Sequence, residues 1–337
     1  MNAAGNSVII VRMANWLGDS VMALPALERL RAERRDARII AVGRWAPLLA
    51  GQAVADLQLP YPRHARERFA FGRSLRQQRP ALALLLPNSF ESALAACWWS
   101  AARRVGYDTD GRGSLLTDLV PLPSRRRHQV DEYASLLRAA GVDADDDAAP
   151  AWKLGDRPDL RAEVDALLAE CGAPAEARFV GLHLGAAFGA SKLWPAESFG
   201  RLAAHLVRAG LAPLLLGASE DEETCRIAAG FADVPLLSLV GRDRPALLPW
   251  LLARLSCLVS GDTGVAHLAA AIGVPTVTLF GPTDPGLTAP RGPLARVLYR
   301  GVACSPCFLA TCPIDHICLR DIAVEDVERE VMAAVIA

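Results

Sequence analysis

The sequence predicts an α/β fold made of two doubly wound, Rossmann-like domains, and three observations carry that prediction. Its strand candidates are short, continuous apolar runs rather than alternating ones, which suits parallel sheets covered on both faces. They alternate with helical patterns of about ten residues or more. The whole pattern stops in a stretch rich in Asp, Ala and Pro between residues 141 and 158, and then restarts. A chain of 337 residues has room for two such domains. The reading places them at residues 1–155 and 156–337, facing each other across an interdomain cleft.

Taken in order, the first strand covers residues 8–11 and an amphipathic helix covers 20–35. Residues 38–42 and 82–86 form the next strands, the latter wholly apolar. A helix at 91–102, a short strand at 104–107 and a helix at 129–140 complete the first half. In the second half the strands are 179–184, 212–216, 236–239, 257–259 and 276–280, with helices at about 197–209, 220–231 and 245–255 between them. A last helix over 324–336 packs either on its own domain or back on the N-terminal one. In sheets of this kind ligands bind beyond the carboxyl ends of the strands, at the topological switch point. The loops that follow strands are therefore where function is sought.

Composition narrows the class. At 52% hydrophobic and 22% charged the chain is globular, and only the acidic run at 143–147 suggests disorder. The net charge of −1 conceals an asymmetry: residues 1–140 hold 20 Lys and Arg against 12 Asp and Glu, whereas the remainder holds 16 against 25. Six arginines fall at positions 63, 66, 68, 73, 76 and 79, and Arg125, Arg126 and Arg127 form a second cluster. Such density is a solvated face or a surface for an anionic partner. The first seven residues lack a basic, then apolar, leader pattern, and no apolar run reaches the ~20 residues needed to span a bilayer. Eight cysteines in such a chain argue against a disulfide framework. The expectation is a cytoplasmic protein that can sit on a membrane surface. There is no Walker A sequence, and Gly-x-Gly-x-x-Gly does not follow the first strand, which weakens a dehydrogenase reading.

The most informative segment is Ser260-Gly261-Asp262-Thr263-Gly264-Val265-Ala266-His267. It joins a strand to a helix that Gly273 stops. Asp262 is placed to cap that helix. Thr263 and Gly264 open its first turn, where unpaired N–H groups and the helix dipole favour a phosphate or diphosphate. His267 lies one turn in, where packing is favoured over proton transfer.

After the first strand, Asn15-Trp16-Leu17-Gly18-Asp19 enters a helix. Gly18 permits a tight turn, and Asp19 at the carboxyl edge is either a helix cap or a base that accepts a hydroxyl proton. After the first strand of the second half, a small-residue loop ends in Ser191-Lys192-Leu193-Trp194-Pro195. Lysine occurs only twice in the chain, and Lys192 there is suited to neutralising a diphosphate without metal. Phe280-Gly281-Pro282-Thr283 ends another strand at the same edge. Cys304, Cys307, Cys312 and Cys318, with His316 among them, have spacing compatible with a structural zinc or iron, and equally with reduced thiols that pack a loop. The sequence leaves both open, and the cluster is kept out of the catalytic assignment.

In this order and spacing the segments resemble glycosyltransferase family 9, the ADP-heptose:lipopolysaccharide heptosyltransferases. The likeness rests on Asn15 to Asp19, Pro87-Asn88-Ser89-Phe90, Arg104-Val105-Gly106-Tyr107, Lys192 to Pro195, Gly261 to His267 and Phe280 to Thr283. The Pro-Asn-Ser-Phe stretch and the cysteine cluster are most similar to the heptosyltransferase II branch.

The resemblance implies a GT-B fold and inverting transfer of a heptose, the second of the lipopolysaccharide inner core, from ADP-heptose, at the cytoplasmic face of the inner membrane. It implies Asp19 as general base and Lys192 on the diphosphate. Asn15, Gly18, Ser191, Asp262, Thr263, Gly264 and His267 would bind substrate, Asp262 at sugar hydroxyls because it would repel phosphate. It implies no catalytic metal or cofactor. The arginine-rich half would meet the anionic acceptor during a peripheral membrane contact. Rival readings are a family 9 transferase with another acceptor, a GT-B-like UDP-sugar epimerase, and a nucleic-acid-binding protein. The last is disfavoured because the arginines lack interleaved aromatics and a recognised binding motif.

Overall fold

The computed structural model describes residues 7–174, 176–242 and 244–336. The stretch read for a leader therefore lies outside the described residues, except for Ser7. The chain divides into two compact units, one ending at Ala151 and the other starting at Trp152. Trp152 is drawn to the second unit because its N–H bonds to the Ala271 carbonyl at 2.8 Å.

The first unit runs β1 (Val8–Arg12), α1 (Leu17–Met22), α2 (Leu24–Glu33), β2 (Arg38–Val42), β3 (Leu57–Leu59), α3 (Ala65–Gln77), β4 (Leu82–Leu85), α4 (Phe90–Trp98), β5 (Arg103–Tyr107), β6 (Asp118–Val120) and α5 (Gln129–Ala139). Its sheet is parallel, in the order β3-β2-β1-β4-β5-β6. That is the Rossmann order, with the switch point between β1 and β4. Apolar residues of β1, β2 and β4 are buried on both faces, as their continuous apolar runs require.

The second unit runs α6 (Pro158–Glu170), β7 (Phe179–His183), α7 (Ala196–Arg208), β8 (Ala212–Leu216), α8 (Glu222–Ala232), β9 (Leu237–Ser238), α9 (Leu248–Leu252), β10 (Leu255–Gly261), α10 (Gly264–Ile272), β11 (Thr276–Phe280), α11 (Pro285–Thr288), β12 (Ala295–Tyr299), α12 (Ile317–Arg320) and α13 (Val324–Ile336). Its sheet has the same winding, β12-β11-β10-β7-β8-β9, and its switch point lies between β7 and β10. The last helix packs in the core of this unit: Val324, Val327 and Val331 are buried with Trp194 and Leu202. Trp194 stacks edge-on against Phe199 at 5.0 Å and donates its indole N–H to the Ile322 carbonyl.

Several expected elements differ. The helix expected over 20–35 is two helices, because Pro25 has no N–H to continue the first ladder and starts the second instead. The helix expected over 245–255 shrinks to Leu248–Leu252, started by Pro249. Strands β3, β6 and β12 and helices α3 and α6 add to the expected list.

Helices α7 and α8 approach closely at Gly200, where an added Cβ would stand 2.2 Å from the Ala228 carbonyl oxygen. Gly200→Ala gains up to about 1 kcal/mol of helix propensity. It also forces two backbones apart, so a net loss of about 1–3 kcal/mol is expected by denaturant unfolding. Gly230→Ala, in α8 with nothing within 4 Å of the added Cβ, is the matched control. It should be neutral or stabilising by up to about 1 kcal/mol.

Candidate active site

In the second unit the loops after β7, β10 and β11 meet at the carboxyl edge of the sheet around one ion pair. Lys192, in a short turn that ends at its own position, places Nζ 2.5 Å from Asp262 Oδ2 and 3.2 Å from the Asp262 carbonyl oxygen. Thr283 Oγ1 donates to the same Oδ2 at 2.7 Å. The lysine side chain is 12% exposed and that of Asp262 only 6%, so neither charge could remain there unpartnered without a large desolvation cost. The Phe188 ring lies 4.8 Å from Nζ and adds a cation–π contact. Two of the three ammonium donors are committed to Asp262, leaving one for a ligand.

This geometry corrects two expectations. Asp262 does not cap α10: Thr263 occupies the N-cap position, without a side-chain cap bond, because the Asp262 carboxylate is held by Lys192 and Thr283. Ser191 does not present its hydroxyl to a ligand. It is buried, its Oγ donates to the Leu309 carbonyl at 2.5 Å, and its N–H donates to the Ala310 carbonyl.

Thr263 and Gly264 remain partly exposed, which leaves the start of the nine-residue helix α10 open to an anion. The Thr263 hydroxyl is 2.9 Å from Ser260 Oγ, which in turn lies 3.3 Å from His183 Nδ1. His267 is buried with Nε2 3.9 Å from Asp262 Oδ1. Its place is therefore against the ion pair.

Asp221 is a residue the sequence reading missed. An added Cβ at Gly185, after β7, would lie 2.2 Å from its Oδ2, and one at Gly217, after β8, 2.8 Å. Burial raises its carboxyl above the ordinary range, against the pull of the Ala218 N–H. A glycine within two residues of the end of each of two neighbouring strands was the available signal, since both make room for this side chain.

In the first unit, Asp19 lies in the first turn of α1, half-buried, and accepts a hydrogen bond from Tyr133 Oη at 3.3 Å. Burial first, and then the Asp19 carboxylate, hold the Tyr133 phenol well above its usual value, so it stays a donor. Gly18 lies within the same helical turn rather than in a tight turn. Asn15 is exposed and its Oδ1 accepts from Arg12 Nη2 at 3.0 Å.

Arg12 also went unremarked in the sequence. It is 2% exposed, its guanidinium lies 4.1 Å from the centre of the Tyr61 ring, and its Nε is buried without a partner among the described residues. Desolvation lowers its pKa. On the other side of the switch point, fully buried Arg112 donates to the carbonyls of Pro87 and Ser89 and to Ser92 Oγ. It thereby fixes the loop after β4.

The second arginine cluster is largely neutralised. Arg126 binds buried Glu132 through both carboxylate oxygens, at 2.6 and 2.7 Å. Arg127 pairs with Asp146 at 2.6 Å, and Arg138 reaches the same carboxylate at 3.1 Å. The acidic run, which the sequence marked as a sign of disorder, thus carries ion pairs. By contrast, Arg63, Arg66, Arg73, Arg76 and Arg79 are exposed on and around α3.

Residues 68–318 match the model of glycosyltransferase family 9 (heptosyltransferase). The chain is similar to lipooligosaccharide heptosyltransferase 2 of Haemophilus ducreyi, with 31% identity over 86% of this chain and 88% of that protein. It is 30% identical to lipopolysaccharide heptosyltransferase 2 of Salmonella typhimurium over 86% of this chain and 87% of that one. In structure it resembles ADP-heptose lipopolysaccharide heptosyltransferase II of E. coli, with a TM-score of 0.81 and 27% identity over 97% of this chain and 98% of that one. The two Rossmann-ordered sheets and this likeness establish the GT-B fold.

His183 gives the site a testable pH signature. Burial pushes its imidazole down to about 4. An unfolded imidazole titrates near 6.5, so between about pH 6.5 and 4 the unfolded chain takes up a proton that the folded chain refuses. Stability from this group is therefore unchanged above about pH 6.5 and declines as the pH falls through that window. Histidine NMR of the folded protein should find the ring neutral at about pH 5.5, whereas a protonated ring there would contradict the assignment.

Proposed function

The chain belongs to glycosyltransferase family 9, and on that footing we propose that it transfers a heptose from ADP-heptose to the inner core of lipopolysaccharide, adding the second heptose. The observation that carries this reading is the ion pair of Lys192 with Asp262 beside the open start of α10. It offers a diphosphate one ammonium donor and a row of backbone N–H groups at one sheet edge.

In the proposed step the acceptor hydroxyl attacks the anomeric carbon while the bond to the ADP oxygen breaks. The hydroxyl proton passes to Asp19, one oxygen of which is oriented by Tyr133. Negative charge builds on departing ADP, where the N–H groups of Thr263 and Gly264 and the ammonium of Lys192 stabilise it. Asp262 keeps the lysine aimed, and the remaining polar groups of the loops bind sugar hydroxyls. No metal or other cofactor enters this step.

The acceptor lies on a membrane, and the face built by α3 and α4 is the surface assigned to meet it. Phe69, 60% exposed, packs on Trp98 with ring centres 4.7 Å apart, and Phe90 and Leu94 are exposed beside them. The exposed arginines of α3 surround these apolar groups, the combination that attracts an anionic lipid surface. Among the described residues no helix is long and apolar enough to cross a membrane. The contact is therefore read as peripheral, on the cytoplasmic face of the inner membrane.

Purified protein should release ADP from ADP-heptose only when a heptose-bearing core acceptor is present. Asp19→Asn should lower kcat by about 10²–10⁴ while leaving donor binding intact; full turnover would remove it as the base. Lys192→Ala should raise the donor KM by about tenfold or more, because it also leaves the Asp262 carboxylate unpaired before a diphosphate. Adding Asp262→Asn should recover part of that loss, and strict additivity of the two changes would break the proposed coupling.

For the membrane face, Phe69→Asp with Arg73→Glu should reduce sedimentation with phosphatidylglycerol vesicles several-fold and leave turnover on a soluble acceptor unchanged. Undiminished vesicle binding would assign the contact elsewhere.

A further inference from the structure

The loop between β12 and α12 holds three thiols, and α12 itself a fourth, that the proposed reaction does not use. Cys304, Cys307, Cys312 and Cys318 line one cavity together with His316 and Ser191. Its volume is about 20 Å³, room for a single water-sized or ion-sized occupant. All four cysteines are free thiols. The Nε2 atom of His316 is buried there with no hydrogen-bond partner among the described residues. The backbone N–H of His316 points at Cys312 Sγ at 3.4 Å, the kind of bond that stabilises a thiolate ligand.

We propose that these four cysteines bind one zinc or iron(II) ion, tetrahedrally, as a structural site. Soft sulfur donors in this number select those metals over magnesium or calcium. Four Sγ–H protons pass to solvent as four sulfur–metal bonds form, with no change of oxidation state. His316 stays outside the ligand set, and its ring N–H donates to a thiolate to offset the negative charge of the centre. Among the described residues no three such donors are already drawn to ligand positions. The ion therefore closes the loop around itself, which residues 301–316, without helix or strand, can accommodate.

The same loop holds the donor cluster from behind. Its Leu309 and Ala310 carbonyls take the hydroxyl and N–H of Ser191, next to Lys192. Its Cys307 and Phe308 N–H groups bond to the Pro282 carbonyl, next to Thr283, at 3.0 and 2.8 Å. The ion is thus a positioning element for Lys192 and Thr283, and only this consequence rests on the proposed transferase reading.

The test uses the full chain, purified under reducing conditions without chelator. Elemental analysis should find about one zinc or iron per chain, and Co²⁺ titration should give the intense visible bands of a tetrahedral thiolate site. Cys307→Ser and Cys312→Ser should lose the metal and the bands, while Cys97→Ser and Cys171→Ser keep both. Where a variant fails to fold, the Co²⁺ titration of the unsubstituted protein decides alone. Absence of both metal and cobalt bands, metal retained in the two serine variants, or ready pairing of the thiols as disulfides instead of metal uptake would overturn the proposal. Stripping the ion should weaken ADP binding about five- to tenfold. Metal bound without any ADP affinity would instead count against the transferase reading and leave the metal site standing.

Discussion

The ion pair between Lys192 and Asp262 is the constraint on which the rest of the donor side depends. It ties the loop after β7 to the loop after β10, and Thr283 adds the loop after β11 through the same carboxylate oxygen. Neither charge is exposed enough to be solvated singly, so each fixes the other in place. Gly261 allows the tie to close, because an added Cβ there would stand 2.8 Å from the Lys192 carbonyl oxygen. The pair is neutral as a unit. On the proposed reading, an incoming diphosphate is therefore met first by the backbone N–H groups of α10 and by the one remaining ammonium donor. Such a site discriminates by the arrangement of its dipoles more than by excess positive charge, which is the arrangement that stabilises charge as it develops on a leaving group.

The fold was legible because its central strands are apolar on both faces, and a continuous apolar run of four or five residues has few other places to go. Three of the four edge strands escaped for the opposite reason. Strands β3, β6 and β12 are only partly buried and carry polar residues such as Gln58, Asp118 and Arg296, so no apolar run marks them. Helix α3 was hidden by its arginines, which read as a charged surface before they read as a helix. At the site, spacing located the loops correctly at the strand ends but could not supply partners. Lys192 and Asp262 are 70 residues apart, and nothing local in the sequence says that the one will neutralise the other. The same applies to Ser191, whose partners lie 118 residues on, and to Arg12, whose burial depends on Tyr61.

Charge asymmetry along the chain resolves differently in its two arginine clusters. Arg126, Arg127 and Arg138 face acids of the same unit, and the bidentate contact with buried Glu132 makes Arg126 part of the framework. On α3 only Arg68 is drawn inward, over Tyr61 and towards Glu91. The other α3 arginines stay in water beside exposed aromatic side chains. An excess of positive charge confined to one helix face is a stronger statement about a partner than the net charge of the whole half. The paired arginines contribute nothing to a long-range field that acids of the same unit cancel.

In the second unit, irregular backbone supports a rigid site. The segment that holds Ser191 and Pro282 in place has no helix or strand of its own, and its large apolar residues Phe308, Leu309 and Ile314 face solvent. A loop without a buried apolar face gains little from packing and loses full conformational entropy on ordering. Its own anchors are a few hydrogen bonds to carbonyls, each contributing only about 1 kcal/mol net. An ion bound by the thiols, as proposed, pins this segment in the folded chain, which is what a donor site hung from it requires. The four cysteines therefore serve the mechanics of this segment and not the transfer chemistry.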